Sequence, residues 1–349
     1  MVIERTPRIV FGSDTVSKLP YELERLACQR ALVLSTAGRR SSAENVARLL
    51  GDNAAAIFAE AVMHTPLEVT ESAMQVVAAN DIDCLVAIGG GSTTGLSKAI
   101  ALRSGLPQIV IATTYAGSEM TPILGQTEGG VKTTLTDTRI IPDTVIYDVM
   151  LTLSLPASFS GSSGINAIAH AVEALYARDS TEEISALAVE SIGKLAQALP
   201  VVIRDPQNLD ARSNALAGAS LAGRCLAHVG MALHHKLCHT LGGSFDLPHA
   251  ETHTAVLPHA AAYNAGAAPR AMEKVANALG KASAPQGLFE LGKAVKATMA
   301  LRDLGLREAD LDRAAELAVQ NPYWNPRLVE RDAIRELLGR AWAGVPPQV

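Results

Sequence analysis

Asn166 and His170 stand four residues apart in the run Gly164-Ile165-Asn166-Ala167-Ile168-Ala169-His170, a spacing that puts both on one face of a helix; His235 and His239 repeat it. Four polar side chains can therefore converge on one spot, with His249 further along. Imidazoles at this spacing suit a divalent metal site, yet Asn166 offers a neutral amide where a hard ion prefers a carboxylate. The chemistry turns on that position.

A second set of residues suits phosphate. The strand-like Leu85-Val86-Ala87-Ile88 runs into Gly89-Gly90-Gly91-Ser92-Thr93-Thr94-Gly95 and then the helix-like stretch Leu96 to Leu102. Glycines between a strand and a helix let backbone N–H groups approach a pyrophosphate at the positive end of the helix dipole, which makes Gly89, Gly90, Gly91 and Ser92 candidate cofactor contacts. The pattern is neither G-x-G-x-x-G nor a P-loop. Taken alone, it is equally a tight turn that uses glycine for its backbone freedom. The strand end Ile111 to Ser118 adds Thr113, Thr114 and Ser118 where an open α/β sheet binds ligands. The first strand end, Leu34 to Arg40, adds Thr36 but lacks an acidic residue to hold the ribose of NAD, so either NADH or NADPH is expected. Arg39 and Arg40 would favour the extra phosphate of NADPH, or simply be solvated.

Short apolar runs at Ala31–Leu34, Ala56–Phe58, Leu85–Ile88 and Ile109–Ile111 alternate with the helical spacing of Ser42–Leu50 and Thr70–Ala79. This rhythm predicts a parallel sheet covered on both faces, a Rossmann-like α/β domain. The polar stretch Gln126 to Thr138 predicts an antiparallel excursion before a last strand, Thr144–Tyr147. After Pro156 the texture becomes helical, in Ile184–Leu195, Ala211–Ala227 and Leu288–Leu301. Two domains are expected: an α/β dinucleotide-binding domain over 1–156 and an all-helical substrate and catalytic domain over 157–349.

The 349 residues carry 48% hydrophobic and 19% charged side chains and a formal net charge of -5, a balance that speaks against disorder and against nucleic-acid binding. Cys28, Cys84, Cys225 and Cys238 are scattered without a C-x-x-C pair, as expected of reduced thiols packed in the cores of a cytoplasmic protein. Charges and a proline interrupt Met1 to Pro7, so no export signal is expected, and no unbroken apolar stretch predicts a membrane span.

Taken together, Gly89 to Ser92, Thr113-Thr114, Gly164 to Glu173, His235 to His239 and Leu247-Pro248-His249 resemble the iron-containing alcohol dehydrogenase superfamily. The forms Gly-Gly-Gly-Ser-Thr-Thr-Gly-Leu at 89–96, Gly-Ile-Asn-Ala-Ile-Ala-His at 164–170, Leu-Pro-His-Ala-Glu-Thr-His at 247–253 and Asn-Pro-Tyr-Trp-Asn-Pro at 321–326 are similar to its maleylacetate reductase branch. The resemblance implies a dehydroquinate synthase-like fold, a site in the cleft between two domains, a homodimer, and reduction of the conjugated C=C bond of maleylacetate or its substituted forms. By position, the superfamily's metal ligands fall on Asn166, His170, His235 and His249, with His239 beside them. Gly95 departs from the aspartate that many relatives carry after the glycine loop.

With Asn166 in place of aspartate, no functional metal is expected. Hydride added to an alkene conjugated with a ketone leaves a delocalised enolate, which imidazole donors can stabilise. On this reading His170, His235 and His249 bind the oxo-acid, His239 or His253 returns the proton, and Lys236 receives a carboxylate. The family suggests Lys132 as a cofactor contact, and it would otherwise decorate a hairpin. His64, His228 and His259 are read as packing or surface residues, and His234, about 100° around the helix from His235, is expected to point elsewhere. Residues 321–326 also read as a helix terminator. The alternatives are a metal-dependent alcohol or polyol dehydrogenase of the same superfamily and a non-catalytic nucleotide-binding protein.

Overall fold

The computed structural model describes residues 5–129 and 131–348, with backbone alone at 131 and 132. Part of the N-terminal stretch read for export, and the side chain of Lys132, lie outside the described residues. The chain forms two compact units that meet between Leu155 and Pro156.

The N-terminal unit runs β1 (Arg8–Gly12), α1 (Leu19–Arg25), β2 (Ala31–Leu34), α2 (Arg40–Leu50), β3 (Ala54–Phe58), α3 (Leu67–Ala79), β4 (Cys84–Gly89), α4 (Gly91–Ser104) and β5 (Gln108–Ala112). The hairpin β6 (Ile123–Glu128) and β7 (Val131–Thr136) follows, then β8 (Thr144–Asp148) and the short α5 (Val149–Thr152). Six strands form one parallel sheet in the order β1-β8-β5-β4-β2-β3, while β6 and β7 pair antiparallel. Strands β2, β4, β5 and β8 are buried along their whole length because the period-two alternation feeds two cores. Val33, Val86, Ile88, Ile109, Ile111 and Ile146 pack with Leu19, Leu23, Val46 and Leu50 on one face. Leu32, Leu34, Leu85, Ala87 and Val110 pack with Ala73, Leu96 and Ile100 on the other. Strand β1 was not foreseen: Arg8 and Ile9 are exposed on an edge strand, so its sequence lacks the apolar run of the central strands.

The C-terminal unit is helical: α6 (Ala157–Tyr176), α7 (Glu182–Arg204), α8 (Leu209–His228), α9 (Leu233–Phe245), α10 (His249–Asn264), α11 (Pro269–Leu279), α12 (Ala284–Ala294), α13 (Leu311–Val319) and α14 (Arg331–Ala343). Helix α7 is long and apolar enough to cross a membrane by length and composition, and it buries Ile184, Ala188, Ile192, Leu195 and Leu199 within the helical unit. Gly164 lets α6 approach α7 closely, since a Cβ there would stand 2.5 Å from Leu199 Cδ2. The helix expected over Leu288–Leu301 instead stops at Ala294. Lys296 adopts a left-handed φ of 57°, which an L-residue cannot continue as a helix, and Leu301 opens a separate 3-10 turn.

Candidate active site

In the N-terminal unit, β2 has β3 on one side and β4 on the other, so the strand order reverses at the carboxyl ends of β2 and β4. That is where an open α/β sheet binds nucleotides. Thr36 follows β2, Gly89 ends β4, Gly90 caps α4, and Gly91 and Ser92 form its first turn. The glycines are needed for close approach. A Cβ on Gly89 would lie 2.4 Å from Thr93 Oγ1, and one on Gly90 would lie 2.7 Å from Thr114 Oγ1. Thr113 N donates to Gly89 O at 3.0 Å, which ties the loop after β5 to the glycine loop. Gly95 is held against Thr65, whose Oγ1 would stand 2.5 Å from a Cβ added there, so a larger residue at 95 has no room in this chain.

Ser118 belongs to a loop anchored from below by Lys98, whose Nζ donates to the carbonyls of Ser118, Thr121 and Ile123 at 2.5, 2.7 and 3.0 Å. Burial drives the Lys98 pKa down to about 7, against the pull of Glu119. Glu119 is itself buried and pushed upward, and accepts the Tyr147 hydroxyl at 2.8 Å. Lys98 had no signal in the sequence beyond its place on the helix after the glycines.

The helical unit gathers the histidines. Helix α6 presents Asn166 and His170, α9 presents His235 and His239, and α10 begins at His249 and carries His253. His170 Nδ1 lies 2.8 Å from His235 Nε2, and the His249 and His253 ring centres are 4.3 Å apart. His235 and His253 are 5.0 Å apart, and His235 and His239 6.0 Å. Asn166, His170, His235 and His253 are buried, while His239 and His249 are exposed.

Behind His235 stands Glu173, two turns along α6 from Asn166 and fully buried. Its Oε2 accepts from His235 Nδ1 and from the Ala232 N–H, and its Oε1 accepts from the His234 N–H, all at 2.7 Å. Burial pushes the Glu173 pKa up to about 7 and holds His235 down at about 3, so the ring stays neutral. With the carboxylate ionised, His235 Nδ1 is the donor and Nε2 carries the lone pair.

Three further residues of this cluster went unpredicted. His234, expected to point elsewhere, is fully buried with its Nε2 3.0 Å from His253 Nδ1, because α10 supplies a ring next to it. Cys238 Sγ lies 3.7 Å from the same His234 nitrogen. Tyr323 OH lies 3.0 Å from His239 Nδ1, and its ring centre is 5.9 Å from Lys236 Nζ, so the stretch 321–326 does more than end a helix. Glu173 had a signal: it falls three residues after His170, on the same helical face.

Two family models match the chain: "Iron-containing alcohol dehydrogenase" over residues 6–149 and "Fe-containing alcohol dehydrogenase family, C-terminal" over residues 161–342. The maleylacetate reductase of Burkholderia cepacia is 53% identical over 343 residues, covering 98% of this chain and 97% of the relative. That of Rhizobium sp. (strain MTP-10005) is 54% identical over 341 residues, with 98% and 97% covered. The crystal structure of the maleylacetate reductase from Agrobacterium tumefaciens superposes with a TM-score of 0.96 at 53% identity, covering 99% of each chain.

The expectation that no functional metal is needed is overturned by these matches, because the family is named for its iron. Charge reaches such an ion not only from the side chains that touch it but also from groups behind them. Glu173, directly behind His235, supplies the carboxylate missing at 166, in the arrangement that raises the basicity of a ligating imidazole. The residues fit a divalent ion. His235 presents its Nε2 lone pair, and Asn166 Oδ1 is a buried acceptor with no hydrogen-bond partner among the described residues. Matched by one family's models in both halves, and by its relatives over nearly its whole length, the chain belongs to the iron-containing alcohol dehydrogenase family and, within it, to the maleylacetate reductases.

Proposed function

We propose that this chain reduces the conjugated C=C bond of maleylacetate, and of substituted maleylacetates, to the 3-oxoadipate level in aromatic-compound degradation, with NADH or NADPH as reductant. Its curated relatives carry this activity in their names. The observation that carries the reading is the buried chain of contacts from Glu173 to His235 Nδ1 and from His235 Nε2 to His170 Nδ1, which draws the histidines of α6 and α9 together. When bound, a reduced nicotinamide supplies a hydride, and a divalent ion held by His170, His235, His249 and Asn166 supplies a Lewis acid.

The chain's own residues do the rest. The N-terminal unit holds the nucleotide through Thr36, Gly89 to Ser92, Thr113, Thr114, Ser118 and Lys132, and the helical unit holds the oxo-acid. His239 returns the proton to carbon. It is exposed and bonded to Tyr323, whereas His253 is fully buried and its charged form is suppressed first by burial and then by the neighbouring histidines. Lys236 receives a substrate carboxylate. The setting we propose is a cytoplasmic homodimer with no membrane or nucleic-acid partner, in keeping with four unpaired cysteines and a net charge of -5.

The test follows loss of reduced-cofactor absorbance with maleylacetate for the wild type and His239→Gln. The wild type turns over, and the variant loses roughly 100-fold or more in kcat with nucleotide affinity unchanged. A wild type inert toward maleylacetate refutes the activity; a fully active variant refutes the role of His239.

A further inference from the structure

His234 and Cys238 lie one turn apart on α9, and His253 faces them from α10. His234 Nε2 is 3.0 Å from His253 Nδ1 and 3.7 Å from Cys238 Sγ, and the three donor atoms all lie within 4.8 Å of one another. All three side chains are at most 2% exposed. In a tetrahedral zinc site, with Zn–N about 2.0–2.1 Å and Zn–S about 2.3 Å, two nitrogens stand roughly 3.3 Å apart, and a nitrogen and a sulfur roughly 3.6 Å. The His234–His253 and His234–Cys238 separations lie within a few tenths of an ångström of those values.

The donor types also suit ligation. A cation that binds here displaces the proton of the Cys238 thiol. A thiolate then supplies a negative charge directly to the ion, which no side chain among Asn166, His170, His235 and His249 can do. Mixed imidazole and thiolate donors select a borderline-to-soft cation of the zinc class over magnesium or calcium.

We propose that His234, Cys238 and His253 form a second cation site, of the zinc class, separate from the donor set at Asn166, His170, His235 and His249. The three ligands leave a fourth coordination position. Binding converts the Cys238 thiol to a metal thiolate and releases one proton, with no change of oxidation state. The inference does not depend on the proposed substrate.

Cobalt(II) distinguishes the two donor sets, because only a thiolate ligand gives a sulfur-to-cobalt charge-transfer band in the near ultraviolet. The full-length protein is stripped with a chelator and titrated with cobalt, with elemental analysis at saturation. The expected result is a thiolate band whose intensity at saturation corresponds to one of the bound cobalt equivalents, with release of about one proton from the thiol. Cys238→Ser abolishes the band and removes one equivalent of bound metal, while His170→Ala keeps the band. Should Cys238→Ser fail to fold, His253→Asn serves in its place, and the cadmium NMR shift of the wild type reports independently whether one sulfur is coordinated. No band in the wild type, a band that survives Cys238→Ser, or a cadmium resonance typical of nitrogen and oxygen ligands alone overturns the proposal. The three side chains would then be a hydrogen-bonded cluster only.

Discussion

Glu173 and His235 form a buried pair in which one carboxylate fixes both a ring and the helix that carries it. Oε2 holds His235 Nδ1 at 2.7 Å, and the same carboxylate accepts the backbone N–H groups of Ala232 and His234, where α9 begins. Those N–H groups have no partner within α9, and its N-terminus is the positive end of the helix dipole. A side chain from α6 thus caps α9 from outside and sets the directions in which His234, His235, Cys238 and His239 project.

Replacing Glu173 with Gln tests that coupling. The amide must turn an NH2 group toward donors that a carboxylate satisfies, leaving buried groups unpaired at a cost of about 1–3 kcal/mol. Thermal stability should fall, and divalent-metal retention should weaken about 10- to 100-fold. Full metal retention in a folded Glu173→Gln protein would show that His235 needs no carboxylate behind it.

Asn166→Asp should act in opposite directions with and without metal. A carboxylate buried beside neutral imidazoles, without a cation, is costly, so the stripped variant should melt below the stripped wild type. With a divalent ion present, the added charge should tighten binding and raise the melting temperature above that of the metal-loaded wild type. Equal metal affinities in a chelator competition would refute this account of position 166.

The sheet and the glycine and hydroxyl loops at its strand ends were legible because buried parallel strands are written as apolar runs and tight βα turns as glycines; β2 runs over the residues expected, Ala31–Leu34. The helical positions of Asn166, His170 and His235 followed from spacing four. What spacing could not reveal was the company each residue keeps. His234 joins the cluster because α10 meets α9 on that side, and Tyr323 reaches His239 from 84 positions away. The metal was misjudged for the same reason: Glu173 becomes part of the site only once α6 packs on α9.

Lys98 should govern nucleotide affinity rather than turnover. Its ammonium spans the Ser118, Thr121 and Ile123 carbonyls, closing the loop that also bears Thr113 and Thr114. In Lys98→Met those carbonyls lose a charged donor and the loop loosens. Nucleotide Kd should rise about tenfold, equivalent to about 1.4 kcal/mol, with kcat at saturating nucleotide changed less. Equal Kd values for the folded variant and the wild type would dismiss the anchoring role.

His259 should make the protein acid-labile. It is 3% exposed on α10. Burial, aided by Arg340, lowers its pKa from 6.5 to about 4. Between those values the unfolded chain binds a proton at this side chain that the folded chain refuses, so stability drops as pH falls from about 6.5 and levels off below about 4. A shift of this size corresponds to about 3 kcal/mol at most. His259→Leu removes that proton from the balance while filling the same apolar space. Denaturant unfolding from pH 4 to 8 should therefore give a shallower pH slope for the variant, by about one proton, with the two proteins closest in stability near pH 8. Residual slope will remain, since His234, His235 and His253 are also held neutral by burial. Parallel curves for variant and wild type would mean that His259 takes up its proton as readily in the folded protein as in the unfolded chain.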